Sequence, residues 1–366
     1  MIIDMAKIDT TQFMVHQHLL NGEVLHLVQP QFMGCKWTQE NKIFRSSVWN
    51  NDGYPVSLGF YKFVNLGENP EVFPVPTNLK NSVITDKLDG SLLVVSKYKG
   101  NVILRTRGTV DATKIDNGYE LEIFKEKYLP LLEHENSDET WEISYLFEWL
   151  TASKDHAIVI KYDSVPEWVL VGAADHNDYS LLTQHELNAF ASTVGFKRPE
   201  QFSFNTVDEL VETVTSWKNR EGIVLYTQNG QMLHKIKSDD YKKKHAFKSE
   251  ATLENTLELF LNFGYPSFND FKQKIGELYD WECVTMVLGH MSNICDAWKE
   301  VQKIIDGFNS FVETVLKPLP TRKDQALKVI QSYGNSNRNS FVFRILDGKQ
   351  LEKEDIKKLF WQVLKK

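Results

Sequence analysis

The sequence predicts an α+β fold, in which antiparallel sheets with flanking helices are followed by an all-helical part. Before about residue 250, short runs rich in β-branched and aromatic residues alternate irregularly with helical patterns, and this irregularity argues against a regularly alternating parallel sheet. After about residue 250, such runs nearly disappear, and apolar residues recur at three- and four-residue spacing. We therefore expect two domains, residues 1–248 and residues 249–366.

The composition fits this organisation, because 366 residues are enough for about two domains with cores of their own. The net charge of −7 argues against binding nucleic acid through overall positive charge, although it does not exclude a local basic groove. The three cysteines lack metal-ligand spacing and indicate reduced thiols. Neither a membrane span nor a signal peptide is evident, so we expect a cytoplasmic protein with no membrane partner and no obligate protein partner.

Six runs in the first part have the composition of strands, and turn residues separate them. They are VLHLVQP (24–30), KIFRSSVW (42–49), SLLVVSKY (91–98), VILRTRG (102–108), WVLVGAA (168–174) and GIVLYTQ (222–228). Helices are expected over 118–132 and over 183–194, where Thr183 is a suitable N-cap.

The second part begins with three amphipathic segments, 251–263, 268–291 and 293–316, after which Pro318 and Pro320 interrupt the helical pattern. Shorter helices are expected over 324–333, 340–346 and 354–364. The stretch after Leu316 is net basic, and two roles for it stay open. It either contacts the phosphates of a polyanion such as a tRNA stem, or it only packs against the first domain.

The stretch TDKLDGSLLVV (85–95) places two opposite charges at the mouth of an apolar strand. Lys87 and Asp89 flank Leu88, so on a strand both side chains point the same way. Gly90 allows a tight turn or a close approach of the backbone to another group. A surface hairpin has the same composition, so the meaning of this stretch depends on other clusters.

Two further clusters place charge beside apolar residues. Arg105 and Arg107 close the run VILRTRG. Glu148 lies between Phe147 and Trp149, a setting that a carboxylate enters only with a partner.

Two more clusters complete the set. Glu221 and Gly222 open the run EGIVLYT. Lys235 and Lys237 alternate in LHKIK, so both face the same way on a strand and repel each other unless an anion lies between them.

The segments KLDGS, FEW, EGIVL and KIK, in this order, resemble the motifs of the covalent nucleotidyltransferases, which include polynucleotide ligases and mRNA capping enzymes. Within them, the chain is similar to RNA ligases of the phage tRNA-repair type, which carry Ser after the motif glycine, as Ser91 does here. DNA ligases and capping enzymes usually place an arginine at the position of Leu92. The resemblance extends to the segment from Lys235 to Tyr241, but covers the helical part only in general character.

This resemblance implies a nucleotidyltransferase (adenylation) domain and an ATP-dependent RNA ligase that joins 5′-phosphate and 3′-hydroxyl RNA ends in RNA repair. A cleaved tRNA is the substrate expected for such a family. The implied cofactors are ATP and Mg²⁺, with Mn²⁺ as the alternative metal. The implied location is the cytoplasm, which is that of the infected host cell if the protein is viral.

The resemblance also implies catalytic roles. Lys87 would attack the α-phosphate of ATP and carry AMP, which requires a neutral amine although lysine ordinarily has a pKa near 10.4. Lys235, Lys237 and a metal would supply the positive field that lowers this pKa, and the two lysines would then stabilise charge on the α-phosphate. Glu221 would help to place the metal. Asp89 would orient Lys87 or act in the later steps.

A nucleotide-binding set is implied in the same way. Glu148 would hold the ribose hydroxyls, with Phe147 or Ile223 packing near the adenine. The remaining residues would contact the triphosphate or the RNA 5′-phosphate, and they are Arg45 in FRSSVWN, Lys62 in FYKFVNLGE, Arg107 and Tyr241. Arg105 is left outside the predicted site.

Two alternatives remain open. One is another covalent nucleotidyltransferase, either a DNA ligase or a GTP-dependent capping enzyme. These enzymes usually carry a β-rich OB-fold at the C-terminus, where this sequence predicts helices. The other is a catalytically inactive RNA-binding module on the ligase scaffold. Such a module would be expected to lose Lys87, Lys235 or Lys237, and all three are present.

Overall fold

A computed structural model describes residues 2–31, 35–112, 118–151, 159–160, 162, 167–278, 281–334, 336 and 338–364. The chain divides into two compact units, Met1–Lys242 and Lys243–Lys366, six residues before the division predicted at 248. In the described residues, no helix combines the length and the apolar character needed to cross a bilayer.

The first unit contains three sheets, with strand orders β1-β2-β3-β4, β10-β9-β7-β8 and β11-β6-β12-β13-β5. Neighbouring strands are antiparallel except for β13 and the short β5, which are parallel. The strands are β1 (Phe13–Leu20), β2 (Glu23–Pro30), β3 (Ser47–Asn50), β4 (Pro55–Leu58), β5 (Val64–Asn65), β6 (Val83–Lys87), β7 (Ser91–Tyr98), β8 (Asn101–Arg105), β9 (Ile143–Leu150), β10 (Glu167–Asp175), β11 (Gln201–Phe202), β12 (Gly222–Thr227) and β13 (Met232–Lys237). The predicted α+β class is confirmed.

The helices of this unit flank the sheets. They are α1 (Gly118–Ile123), a π-helical turn (Phe124–Tyr128), α2 (Leu129–Glu135), α3 (Gln184–Val194) and α4 (Val207–Ser216), and α5 (Asp239–Glu250) spans the point where the two units divide. The predicted N-cap of α3 is confirmed, because Thr183 Oγ1 accepts a hydrogen bond from the Glu186 amide at 3.2 Å. The Glu186 carboxylate accepts one in return from the Thr183 amide at 2.8 Å, which completes a capping box.

The sequence predicted that the run KIFRSSVW is one strand, but the structure divides it. Its first half is a 3₁₀ turn, Lys42–Arg45, and only the second half enters β3. Reciprocal hydrogen bonds precede the turn, since Thr38 N donates to Asn41 Oδ1 at 2.8 Å and Asn41 N donates to Thr38 Oγ1 at 3.2 Å. Such local bonds give the backbone an alternative to a sheet ladder, and propensity alone does not reveal them.

The cores lie on defined faces of the sheets. Buried residues such as Phe124, Phe147 and Leu170 pack the second sheet against the helices α1 to α3. Ile84, Leu210 and Ile223 belong to the core between the five-stranded sheet and α4. Because alternate residues of a strand point to opposite faces, these contacts leave the other faces of β6, β9 and β12 available for a cleft.

The second unit is built around one long helix, and its described residues form helices and turns but no strand. Phe260, Met291, Val301 and Phe360 belong to its single core. The helices are α6 (Leu253–Asn262), α7 (Phe268–Leu278), α8 (Trp281–Phe311), a π-helical turn (Val312–Leu316), α9 (Arg322–Tyr333), α10 (Arg338–Leu346) and α11 (Lys353–Leu364). The predicted helical C-terminal part is confirmed, although α8 runs unbroken where two segments were expected.

Candidate active site

The register of three neighbouring strands brings the predicted lysines together. Gly222 on β12 pairs with Lys87 on β6 at one side and with Lys237 on β13 at the other. Two residues further along, Val224 pairs with Lys235 on β13. Since side chains two residues apart share a face, all three lysines belong to one face of this sheet.

A single carboxylate oxygen connects two of these lysines. Glu221 is only 3% exposed, and its Oε1 lies 2.8 Å from Lys87 Nζ and 2.9 Å from Lys237 Nζ. Glu221 therefore supplies an anion between Lys87 and Lys237, rather than between the alternating lysines Lys235 and Lys237. The ion pair with Glu221 favours the charged form of Lys87, and nucleophilic attack requires the amine to lose that extra proton.

Two glycines make this close packing feasible. Gly222 has a φ of +148°, and a Cβ there would lie 1.9 Å from the Ile236 carbonyl oxygen. At Gly90, a Cβ would lie 2.0 Å from the Trp149 carbonyl oxygen. Both contacts are with backbone atoms, which cannot move aside as a flexible side chain can, so only glycine fits these positions.

Glu148 faces the same region from β9. Its Oε1 accepts a hydrogen bond from the Gly90 amide at 3.1 Å, which links it to the loop that follows Lys87. Burial raises the pKa of Glu148 to about 7, although the positive charge of Lys87 opposes this rise. The negative charge of Glu221 adds to it. A carboxyl group near half-ionisation at neutral pH can respond strongly to a ligand.

A cavity of about 150 Å³ lies beside these groups. Its walls combine apolar and aromatic side chains with a few charged or polar ones. The lining residues are Arg45, Phe60, Phe63, Thr85, Asp86, Lys87, Leu88, Leu92, Glu148, Val171, Pro199, Val224, Tyr226 and Leu233. An apolar pocket with a few convergent polar groups is the usual form of a small-molecule site.

Of the predicted site residues, Arg45, Lys87 and Glu148 line this cavity, whereas the two predicted to pack near the adenine lie on the opposite faces of their strands. Phe147 is fully buried in the opposite core, where its ring packs edge-on against Phe124 at 5.0 Å between ring centroids. Ile223 is fully buried on the α4 side of its sheet. Each lies one residue from a side chain that does line the cavity, Glu148 or Val224, and successive strand residues face opposite ways. The expectation that Phe147 or Ile223 packs near a base in this cavity is therefore corrected.

The predicted phosphate-contacting cations form one electrostatic cluster. Burial lowers the pKa of Arg45 to about 10, and the charge of Arg107 lowers it further. Burial likewise lowers the pKa of Lys62, and the positive charges of Arg45 and Arg107 lower it as well. The pKa of Lys235 is lowered to about 8, mainly by burial and next by Lys237. Such mutual repulsion makes the region a strong attractor for a polyanion.

Strand alternation does not set the direction of Asp89, because β6 ends at Lys87. Its buried carboxylate accepts hydrogen bonds from the Tyr241 hydroxyl at 2.8 Å and from the amides of Val159 and Ile160 at 2.6 and 2.8 Å. The Asp89 amide donates to the Tyr162 hydroxyl oxygen at 2.7 Å. Asp89 thus ties the loop after Lys87 to Tyr241 in α5.

The donor chemistry of the site fits a divalent cation shared with a phosphate ligand. No group of three or more His, Cys, Asp or Glu side chains converges on a metal position within the part of the chain that the structure describes. Glu221 and Glu148, however, are close enough for each charge to affect the other. Mg²⁺ and Mn²⁺ favour oxygen ligands, and Mg²⁺ is usually bound by one or two carboxylates together with substrate phosphates.

Several cavity residues were missed from the sequence. Phe60 and Phe63 flank Lys62 in FYKF, and the Arg45 guanidinium carbon lies 4.8 Å from the centroid of the Phe63 ring. Val224 and Tyr226 alternate with Gly222 along β12. The sequence signal for these residues was their period-two spacing from Gly222. It predicts that Val224, rather than Ile223, faces the cavity.

A protein-family model described as RNA ligase matches residues 49–251, more than half of the chain. The chain belongs to this RNA ligase family. The matched region contains the three lysines, both glutamates and the glycines described above.

Individual proteins of the RNA ligase type are also similar. The chain is 29% identical over 240 residues to a protein of Autographa californica nuclear polyhedrosis virus, which is named as an inferred bifunctional polynucleotide kinase/RNA ligase. This match covers 59% of this chain and 32% of that protein. It is 29% identical over 221 residues to an inferred RNA ligase of Thermovibrio ammonificans, and this match covers 57% of this chain and 55% of that protein. The chain thus spans about a third and about half of the length of these relatives.

A solved structure of an archaeal ATP-dependent RNA ligase has the same fold. It superposes with a TM-score of 0.50 at 13% identity, over 76% of each chain.

The shared carboxylate predicts a loss of stability in Glu221→Gln. The amide would leave the ammonium groups of Lys87 and Lys237 facing each other without an anion. We expect the free energy of unfolding to fall by about 2 kcal/mol, less than is usual for a broken buried pair because both lysines are partly exposed. Chemical denaturation followed by tryptophan fluorescence would measure it.

Glu133→Gln is the matched control, because Glu133 forms a 3.3 Å pair with Lys97 at a site where the carboxylate is 41% exposed. A surface pair of this kind should contribute less than about 1 kcal/mol. Equal losses in the two variants would contradict a special role for the Glu221 carboxylate.

Proposed function

We propose that the chain is an ATP-dependent RNA ligase that joins 5′-phosphate and 3′-hydroxyl RNA ends through AMP carried covalently by Lys87. The observation that carries this proposal is the convergence of Lys87 and Lys237 on Glu221, with Lys235 on the same face of the sheet, beside a cavity that Lys87 and Glu148 line. Membership of the RNA ligase family supports it.

In the first step, the neutral amine of Lys87 attacks the α-phosphorus of ATP. A nitrogen–phosphorus bond forms, the α–β phosphoanhydride bond breaks, and pyrophosphate leaves, while the amine loses its proton. Lys235 and Lys237 stabilise the charge on the α-phosphate as this bond breaks. Arg45, Lys62 and Arg107 bind the β- and γ-phosphates and later the RNA 5′-phosphate.

Glu148 accepts hydrogen bonds from the ribose hydroxyls, and the adenine lies among the apolar walls that include Phe63 and Val224. Glu221 holds the divalent cation, Mg²⁺ or Mn²⁺, which neutralises phosphate charge when bound. Exchange of Lys87 for a cation at the Glu221 carboxylate would release the amine for attack.

The two later steps transfer and then release AMP. A 5′-phosphate oxygen of the RNA attacks the AMP phosphorus, so the nitrogen–phosphorus bond breaks and Lys87 recovers its amine. A 3′-hydroxyl then attacks the 5′-phosphate, and AMP leaves as the phosphodiester forms. We propose RNA repair as the setting, with a cleaved tRNA as one substrate, and a cytoplasmic location. Asp89 keeps the loop after Lys87 in position throughout.

Lys87→Ala should abolish covalent labelling of the protein from α-labelled ATP, because it removes the amine that is proposed to carry AMP. Label on a denaturing gel, with and without Mg²⁺, is the measurement. Lys97→Ala, on β7 of the second sheet, is the matched control and should keep the label. Transfer from GTP instead would indicate capping. Absence of label in folded protein that is not already adenylated would support an inactive RNA-binding module.

The pKa of Glu148 predicts a pH-dependent affinity for nucleotide. A carboxyl with a pKa of about 7 is mostly protonated at pH 6 and mostly ionised at pH 8, and the ionised form accepts hydrogen bonds from ribose better. We expect the Kd of the α,β-methylene analogue of ATP to fall about tenfold over this range. Calorimetry would measure it, and Glu148→Gln should flatten the profile. An unchanged slope in that variant would assign the titration to the phosphates or to Lys235, whose pKa is about 8.

Removal of the residues after 250 tests the role of the helical unit. If this unit contacts the phosphates of structured RNA, the shortened chain should keep ATP-dependent labelling and lose ligation of tRNA-like ends. A short single-stranded substrate serves as the control and should be joined normally. Circular dichroism would establish that the shortened chain is folded. Equal loss of labelling and ligation would contradict this division of labour.

A further inference from the structure

Arg105 is a buried cation that the proposed reaction does not use. It ends β8, its side chain is 0% exposed, and burial lowers the pKa of the guanidinium to about 9. Among the described residues, no Asp or Glu forms an ion pair with it. Removing a charge from water without an opposite charge is costly, so such a group persists where other contacts compensate for the cost.

The compensation is complete hydrogen bonding. All five guanidinium hydrogens have acceptors, and every acceptor is a neutral oxygen. Nε donates to Ser57 Oγ at 2.7 Å, Nη1 to Ser46 Oγ at 2.7 Å and to the Thr106 carbonyl at 3.1 Å, and Nη2 to the carbonyls of Ser46 at 3.1 Å and Ser57 at 3.0 Å. Lysine has only three hydrogens without a planar fork, so it cannot reproduce this set.

These contacts lead directly to the two arginines proposed to bind phosphate. Ser46 follows Arg45 in the chain, and its hydroxyl also donates to the Arg107 carbonyl at 2.9 Å. Thr106 precedes Arg107. Arg45 belongs to the turn before β3 in the first sheet, whereas Arg107 follows β8 of the second sheet. The Arg105–Ser46 contact therefore joins the backbone beside Arg45 to the backbone at Arg107.

Arg45 and Arg107 need such a connection because they repel each other. The charge of Arg107 lowers the pKa of Arg45, and Lys62 experiences both charges. Without a bound anion, like charges would separate wherever the backbone allows it. A rigid link that uses neutral acceptors holds them together without neutralising either one.

We propose that Arg105 is a positioning residue, which acts through Ser46 to keep Arg45 and Arg107 at a fixed spacing for a polyphosphate or a terminal phosphate. This inference rests on the proposed function, since it assigns a purpose to the two arginines as phosphate ligands. It predicts that disturbing the link weakens phosphate binding specifically, beyond any loss of stability.

Ser46→Ala and Ser57→Ala form a matched pair of variants. Each removes one buried hydroxyl that accepts from Arg105 at 2.7 Å, but only Ser46 also contacts Arg107. We expect similar decreases in Tm for both. In Ser46→Ala alone, the Kd of α,β-methylene ATP should rise about tenfold, equivalent to 1.4 kcal/mol. Its Kd for adenosine, which has no phosphate, should not change.

A double-mutant cycle with Arg107→Ala separates this inference from the proposed function. If Ser46 acts by positioning Arg107, then Ser46→Ala should have little further effect on the Kd once Arg107 is removed. Additive effects, or equal effects of the two serine variants, would overturn the positioning role and leave Arg105 as part of the core. If Arg45→Ala and Arg107→Ala both leave the Kd unchanged, the proposed phosphate role itself fails.

Arg105→Lys provides an independent check, because it keeps the charge and removes the fork. We expect an increased KM for ATP in covalent labelling with a nearly unchanged rate at saturating ATP. A fall in the saturated rate with KM unchanged would contradict positioning of phosphate ligands. If Arg105→Lys does not fold, the serine pair still decides the question.

Discussion

The carboxylate of Glu221 is the interaction on which the site depends, because one buried negative charge faces two ammonium groups. The backbone around it is tied to the end of β13 through Ser238. The Ser238 amide donates to the Glu221 carbonyl at 2.9 Å, and the Ser238 hydroxyl donates to the Arg220 carbonyl at 2.7 Å. The same hydroxyl accepts from the Tyr241 amide at 3.0 Å. Ser238 thus caps the first turn of α5, and it also fixes the backbone that carries the Glu221 carboxylate between Lys87 and Lys237.

The period of the strand explains how one set of strands serves both stability and binding. On β9, Glu148 faces the cavity while Phe147 fills a core, and on β12 Val224 and Ile223 divide in the same way. A substitution at Phe147 or Ile223 would leave a void in a close-packed core, whereas one at Glu148 or Val224 alters the surface offered to a ligand. Core packing therefore constrains one residue of each adjacent pair, and ligand binding constrains the other.

Much of the site was predictable from local pattern, and the failures have a common physical origin. Alternation and charge selected Lys87, Glu148, Glu221, Lys235 and Lys237, and strand register brings the three lysines to one face of their sheet. The direction of Asp89 was not predictable, because it depends on a hydrogen bond to Tyr241, 152 residues away in the chain. The 3₁₀ turn at Lys42–Arg45 depends on side-chain bonds between Thr38 and Asn41. Phe147 and Ile223 were chosen by residue type where the face of the strand decides the matter.

The chain has a net charge of −7, yet its candidate site concentrates positive charge, and two different devices make this stable. Lys87 and Lys237 share an anion, whereas Arg105 relies on neutral hydroxyl and carbonyl oxygens. In the first device both amines are partly exposed, and the proposed reaction requires the Lys87 amine to become free for attack. The second is permanent, because no ligand competes for serine oxygens inside the core. In the proposed mechanism, the amine that reacts is thus held by a carboxylate, and the charge that positions the phosphate ligands is held by neutral oxygens of the core.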